Sequence, residues 1–183
     1  LPASVYETAA QEGQSPAQYT IVPETPVATP ATPDSGVAQP VETVRDARSL
    51  AQLVSLNDGT QTADREEECL AGAVYFESKG EPLEGQLAVA EVIINRAKSG
   101  RFPASICGVV FQRSQFSFVR GGGFPPIARS SRGWREAVAI AKIAKQDMWD
   151  SSADDALYFH ASRVSPGWKL KRIASIGNHV FYR

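Results

Sequence analysis

The stretch CLAGAVYFESKGEPLEGQLAVAEVIINR, Cys69 to Arg96, decides the architecture. Leu70, Ala73, Val74 and Glu77 fall at i, i+3, i+4 and i+7, the spacing that sets side chains on one face of a helix. That helix opens at Asp64, and Glu66, Glu67 and Glu68 fill its first turn, where the positive end of the helix dipole favours them. Gly80 stops it. A second helix follows from Pro82 to about Lys98. Leu83, Leu87, Ala90 and Ile94 make its stripe, and Val89, Val92 and Ile93 widen the stripe until the helix reads as central and mostly buried. Glu81, just before Pro82, is expected near the cap of this second helix.

The position of Glu77 is unusual for a carboxylate. It lies on the apolar face and at a helix C-terminus, so both desolvation and the negative end of the dipole favour its protonated form and raise its pKa. A general acid working near neutral pH needs that property. The plainer alternative, that Glu77 sits at the edge of the stripe and pairs with Lys79 or an arginine, stays open on these residues alone.

Outward from this hairpin the chain divides. Residues 1–68 hold 7 of the 12 prolines and only 2 of the 16 aromatic residues, with 11 Asp or Glu against 3 Arg. Residues 69–183 hold 9 acidic against 16 basic residues, so a net charge of -8 precedes one of +7. Residues 1–46 are expected to be a disordered acidic tether rich in Pro, Ala and Thr, too poor in large side chains to offset its ordering entropy. It is either a spacer or a segment with an intramolecular or protein partner. The chain begins at Leu1 without Met, which suits a processed secretory protein or a trimmed chain equally, and no signal peptide is visible. Residues 47–65 are expected to hold a short helix, with Leu50, Leu53, Val54 and Leu56 at near-helical spacing, ended by Asn57, Asp58 and Gly59. The folded domain is then 66–183. No apolar run near 18 residues is present, so no transmembrane helix is expected.

Towards the C-terminus a short apolar element at Ile106 to Phe111 leads into Gln115, Phe116 and Ser117. A glycine-rich loop at 121–126 and a helix from about Arg132 to Met148 follow, the latter burying Trp134, Ala137, Val138, Ala141 and Ala144. Ala156 to Ala161 and Ile173 to Tyr182, around Gly177 and Asn178, have the alternation of a small sheet or hairpin. The fold class is therefore α+β, helices first and a small sheet last.

Three blocks carry a resemblance. Cys69 to Arg96, FPASICGVVFQRSQFSF at 102–118 and IGNHVFYR at 176–183 contain E-x-x-G-E, G-Q-x-A-V-A-x-V-x-x-N-R and Q-F-S in order. Over about 66–183 the chain resembles the catalytic domain of the SleB-type cell wall hydrolases, the spore cortex-lytic enzymes and their relatives. The resemblance implies a lysozyme-like, lytic transglycosylase-like helical domain in which the small sheet forms one cleft wall. It also implies cleavage of peptidoglycan glycan strands, with Glu77 as the single catalytic glutamate.

Single-glutamate chemistry agrees with the local reading. A two-carboxylate glycosidase needs a second Asp or Glu across the cleft. None announces itself, because Glu84 and Glu91 read as solvated or paired helix residues. A lytic transglycosylase needs only one, since the C6 hydroxyl of the muramic acid attacks the anomeric carbon and leaves a 1,6-anhydromuramyl end. Hydrolysis by water at the same glutamate is the alternative, and a wall-binding module that does not cut is a third reading. Substrate contacts are expected from Gln115, Phe116 and Ser117, and from Tyr158, His160, Trp168, Asn178 and His179 on the sheet wall. Asn95 and Gln86 are expected chiefly to make structural hydrogen bonds.

Cys69 and Cys107 suit one disulfide in the cell envelope, closing a loop of about 40 residues and contributing roughly 3–4 kcal/mol. Two buried free thiols are the alternative. A rival peptidase reading would make Cys107 the nucleophile and His160 its base. A zinc site from His160, His179 and Asp154 or Asp155 lacks ligand spacing and an HExxH helix, so neither metal nor cofactor is expected. The basic domain suits carboxylate-bearing peptidoglycan. Its scattered arginines match no nucleic-acid-binding signature, so no nucleic-acid partner is expected. The expected location is periplasmic or secreted.

Overall fold

The computed structural model describes residues 47–183. The acidic tether expected over residues 1–46, and any partner of it, lie outside the described residues. Five helices precede a small sheet: α1 Leu50–Leu56, α2 Arg65–Glu77, α3 Leu83–Lys98, α4 Ile106–Val110 and α5 Arg132–Lys145, then β1 Tyr158–Ala161, β2 Arg172–Ile176 and β3 His179–Tyr182. The sheet is antiparallel in the order β1-β3-β2. Among the described residues no helix is long and apolar enough to cross a membrane.

Local chemistry sets the helix boundaries. Ser49, Asp64, Ser105 and Ser131 each accept a hydrogen bond from a backbone N–H of the first turn of α1, α2, α4 and α5. Helix α5 stops at Lys145, short of the expected Met148, because the chain turns through Asp147 at φ 56°. Helix α3 begins after Pro82, which takes the cap position and gives the helix no side-chain cap.

Helix α3 is the central one, as its wide stripe predicts. Leu87, Val89, Val92 and Ile93 are fully buried against Leu70 and Val74 of α2 and Trp134, Ile140 and Ile143 of α5. Each such side chain contributes about 1.5–3 kcal/mol on burial. Trp134 keeps its indole satisfied by donating from Nε1 to the Thr60 carbonyl at 3.1 Å. Helix α4 is held to the start of α2 twice. Glu66 Oε2 accepts from the Ile106 and Cys107 backbone N–H groups at 2.6 and 3.3 Å, and Cys69 and Cys107 form a disulfide. That bond consumes the Cys107 thiol, so the peptidase reading loses its nucleophile.

Both expected solvated-or-paired glutamates of α3 are hydrogen-bonded, and Glu91 is buried rather than solvated. Glu91 is buried, accepting from the Ser151 N–H at 2.9 Å and from the Ser151 hydroxyl. Glu84 accepts from the Ser152 N–H at 2.9 Å. Asn95 Nδ2 donates to the Asp154 and Ala156 carbonyls, so one face of α3 organises the 151–156 segment that feeds β1.

Candidate active site

Glu77 is the last residue of α2, and the turn beyond it is specified locally. Ser78 is buried and donates from its hydroxyl to the Val74 carbonyl at 2.8 Å, and Gly80, at φ 83°, reverses the chain towards α3. This leaves the Glu77 carboxyl half-buried at the mouth of a pocket of about 280 Å³, lined also by Glu81, Ala161, Ser162, Arg163, Asn178 and His179. Burial raises its pKa, and the Arg96 guanidinium opposes part of that rise. The carboxyl is thus the kind of group that holds a proton longer than an exposed glutamate does.

Arg96 was not among the expected site residues. Its stem lies in α3 on the side of Val92 and Ile93, the same i, i+3, i+4 logic that singles out Glu77. The residue is 4% exposed, donates from Nε to the Leu157 carbonyl at 2.8 Å, and has its guanidinium carbon 5.0 Å from the Phe102 ring centre. Burial pulls its pKa down to about 10, with Tyr158 and Glu77 holding it up, so it remains a cation at neutral pH. Its Nη1 is buried without a hydrogen-bond partner among the described residues.

Glu81 does not cap α3. Its Oε2 accepts from the Asn178 backbone N–H and its Oε1 from the Asn178 side-chain amide, both at 2.8 Å. The carboxylate therefore clasps the β2–β3 turn to the α2–α3 turn. Gly177, at φ 55°, is required in this clasp, because a Cβ there would lie 1.9 Å from Glu81 Oε2. Glu81 is the other carboxylate lining the pocket, and both its oxygens are engaged.

The sheet divides the expected sugar-binding residues between its two faces. Tyr158 pairs with Tyr182, Phe159 with Phe181 and Ala161 with His179, so alternation sends Phe159, Phe181 and His179 to the helix side. His179 is 6% exposed and sits edge-on to Phe159 at 5.3 Å. Burial lowers its pKa; the Glu81 charge resists this, while Arg163 and His160 add to it, leaving the ring neutral at neutral pH. His179 Nδ1 is buried without a partner among the described residues. Tyr158 and His160 face the other way, with Trp168 edge-on to them at 6.1 and 5.5 Å. Of the five expected sheet residues, only Asn178 and His179 line the Glu77 pocket.

The Gln115 block also differs. Phe116 is buried and stacks on Phe118, so its ring is a packing group rather than a groove surface. Gln115 is half-buried and Ser117 exposed, and none of the three lines the Glu77 pocket. The block reaches the site through its neighbours. Phe118 and Phe124 stack on Phe76, the residue before Glu77, at 5.2 and 5.9 Å. Phe124 fits only because residue 72 is glycine, where a Cβ would come within 2.4 Å of the ring. The loop that carries Phe124 therefore braces the end of α2.

The two histidines cannot share a metal in this arrangement. They lie on opposite faces of the sheet, His160 bonds the Ala161 carbonyl and the Tyr182 hydroxyl at 2.9 Å each, and Asp155 pairs with Arg183 at 2.6 Å. Among the described residues no three acidic, histidine or cysteine side chains converge on a metal-sized site.

With this geometry established, similarity to known proteins is informative. The family model described as Cell Wall Hydrolase matches residues 80–182. The spore cortex-lytic enzyme of Oceanobacillus iheyensis is 38% identical over 117 residues, which are 61% of this chain and 39% of that protein. The spore cortex-lytic enzyme of Bacillus subtilis is 40% identical over 114 residues, 61% of this chain and 35% of that protein. The chain thus spans well under half the length of these relatives. Among solved structures, the catalytic domain of the Bacillus cereus SleB protein superposes with a TM-score of 0.52 at 32% identity, over 69% of this chain and 96% of that one. The catalytic domain of the germination-specific lytic transglycosylase SleB from Bacillus anthracis gives 0.54 at 31% identity, over 68% and 99%. The helical domain with its small sheet has the fold of these catalytic domains, and the chain belongs to the cell wall hydrolase family.

Proposed function

We propose that this chain cuts the glycan strand of peptidoglycan between MurNAc and GlcNAc, as a lytic transglycosylase with Glu77 as its single general acid and base. The observation that carries the reading is the state of the two pocket carboxyls: Glu77 is desolvated with a raised pKa, and Glu81 is committed to Asn178. One carboxyl is therefore available for proton transfer. Protonated Glu77 gives its proton to the glycosidic oxygen as the C1–O bond breaks, and the leaving sugar departs as an alcohol. The resulting carboxylate takes the proton of the muramoyl C6 hydroxyl while that oxygen bonds to C1, which closes the 1,6-anhydro ring and restores the acid.

The other pocket groups suit substrate holding. Neutral His179 and the Asn178 side chain offer hydrogen bonds to sugar hydroxyls, and Arg163 suits a lactyl or peptide carboxylate. Such a substrate places the work of the protein in the cell envelope, periplasmic or secreted, where the Cys69–Cys107 bond persists.

Mass spectrometry of soluble products from sacculi treated with wild type and Glu77→Gln tests this. Anhydromuropeptides from wild type alone are expected. Products heavier by one water would make the chain a hydrolase. Equal products from both proteins would remove Glu77 from the chemistry, and no product from either would favour a non-cutting wall-binding module.

A further inference from the structure

The face of the sheet opposite His179 is built as a surface rather than as a core. His160 stacks on Tyr182 at 5.3 Å and bonds its hydroxyl, and Tyr158 stands opposite Tyr182 in the register. Trp168, from the β1–β2 connection, lies edge-on to Tyr158, His160 and Tyr182 at 6.1, 5.5 and 5.8 Å. These contacts hold the indole in place while leaving the residue 43% exposed. Together with Tyr158, Lys169 and Leu170 it frames an open, largely apolar concavity of about 390 Å³. Leu170 is exposed like Trp168, and an exposed apolar surface of this kind marks an interaction site.

The surroundings of the patch select the partner. Residues 162–172, SRVSPGWKLKR, carry Arg163, Lys169, Lys171 and Arg172 and no carboxylate. Within the described residues none of these four cations forms an ion pair. A purely apolar protein partner has no use for this rim. Fixed aromatic rings stack on the apolar faces of sugars, and unpaired cations attract anionic side groups. Arg163 also lines the Glu77 pocket, so one loop touches both places.

We propose that this outer face is a second binding site for a carboxylate-bearing glycan strand, separate from the Glu77 pocket, which keeps the protein on its insoluble substrate. The identity of the glycan rests on the function proposed above. The site itself makes no and breaks no bond.

The test is co-sedimentation of the full chain carrying Glu77→Gln with intact sacculi and with sacculi stripped of their peptides. In that background Trp168→Ala should weaken binding to both by about tenfold, the scale of one lost aromatic contact. The triple change Lys169→Glu, Lys171→Glu, Arg172→Glu, confined to exposed positions, should weaken binding to intact sacculi far more than to stripped ones, and added salt should reduce the difference. Thermal melting checks that both variants fold. Unchanged binding in both variants overturns the proposal. So does a dimer of the chain that Trp168→Ala dissolves, because the face would then belong to a second copy. Binding is read here without turnover, so loss of this site and loss of the role given to Glu77 register in different assays.

Discussion

Glu81 accepts two hydrogen bonds from Asn178, one from its backbone and one from its side chain, each 2.8 Å long, across 97 residues of sequence. The pair fixes where the sheet stands relative to the end of α2, and so where His179 stands relative to Glu77. Hydrogen bonds to a charged group contribute about 1.5–3 kcal/mol when sheltered, less where water competes. Glu81→Ala should therefore cost about 1 kcal/mol by urea denaturation and lower activity more than that loss explains. Gly177→Ala should cost more, since the new Cβ meets Glu81 Oε2 and Pro82 Cδ at 1.9 and 2.9 Å. Its penalty should shrink in the Glu81→Ala background. Strict additivity of the two changes would show that they do not share a clasp.

Arg96 opposes the desolvation of Glu77, and this gives a pH signature. In the proposed mechanism the carboxyl must be protonated to act as acid, so activity is expected to fall on the alkaline side as Glu77 ionises. Removing the cation raises the Glu77 pKa further. In Arg96→Gln the alkaline limb of kcat/KM should move to higher pH, and in Arg96→Lys it should stay closer to wild type. A limb that does not move in a folded Arg96→Gln protein would separate the two residues electrostatically.

Glu91 makes stability depend on pH. Burial raises its pKa to about 7, the two bonds from Ser151 act against the rise, and Asp150 and Asp154 add to it. The folded state thus binds this proton more tightly than the unfolded chain, whose glutamate titrates near 4.5. Its contribution is fully present below that value and is lost as pH climbs through about 7, a fall on the order of 3 kcal/mol. Glu91→Gln keeps the acceptor for Ser151 and removes the charge. The decline in urea stability between pH 5 and pH 8 should be smaller in this variant than in wild type, and equal slopes would refute the assignment.

The sequence carried the helices well because helix formation is local. Asp64 announces the start of α2, and the wide stripe of α3 announces a central helix. Glu77 was legible because its i+7 spacing from Leu70 placed a carboxyl on an apolar face and the structure keeps it there. Arg96 lies on the face of Val92 and Ile93 by the same rule, but no local pattern ties it to Glu77. Glu91 was obscured in a similar way, since a helix glutamate is ordinarily solvated and only the folded 151–156 segment covers it.

What the sequence by itself determined is the set of elements, the family, and the placement of one glutamate at the buried end of a helix. Spacing along a chain decides these, because residues three, four and seven apart meet within any helix they form. Only tertiary structure decided which groups share the pocket with Glu77. Strand alternation tells that Tyr158 and His160 share a face, yet it does not say which face meets the helices. That choice was made by Phe159 and Phe181 entering the core, which carried His179 to the Glu77 side and left Trp168 outside. The partner of Glu81 likewise follows from how two turns meet in space, and no local pattern encodes a bond 97 residues long.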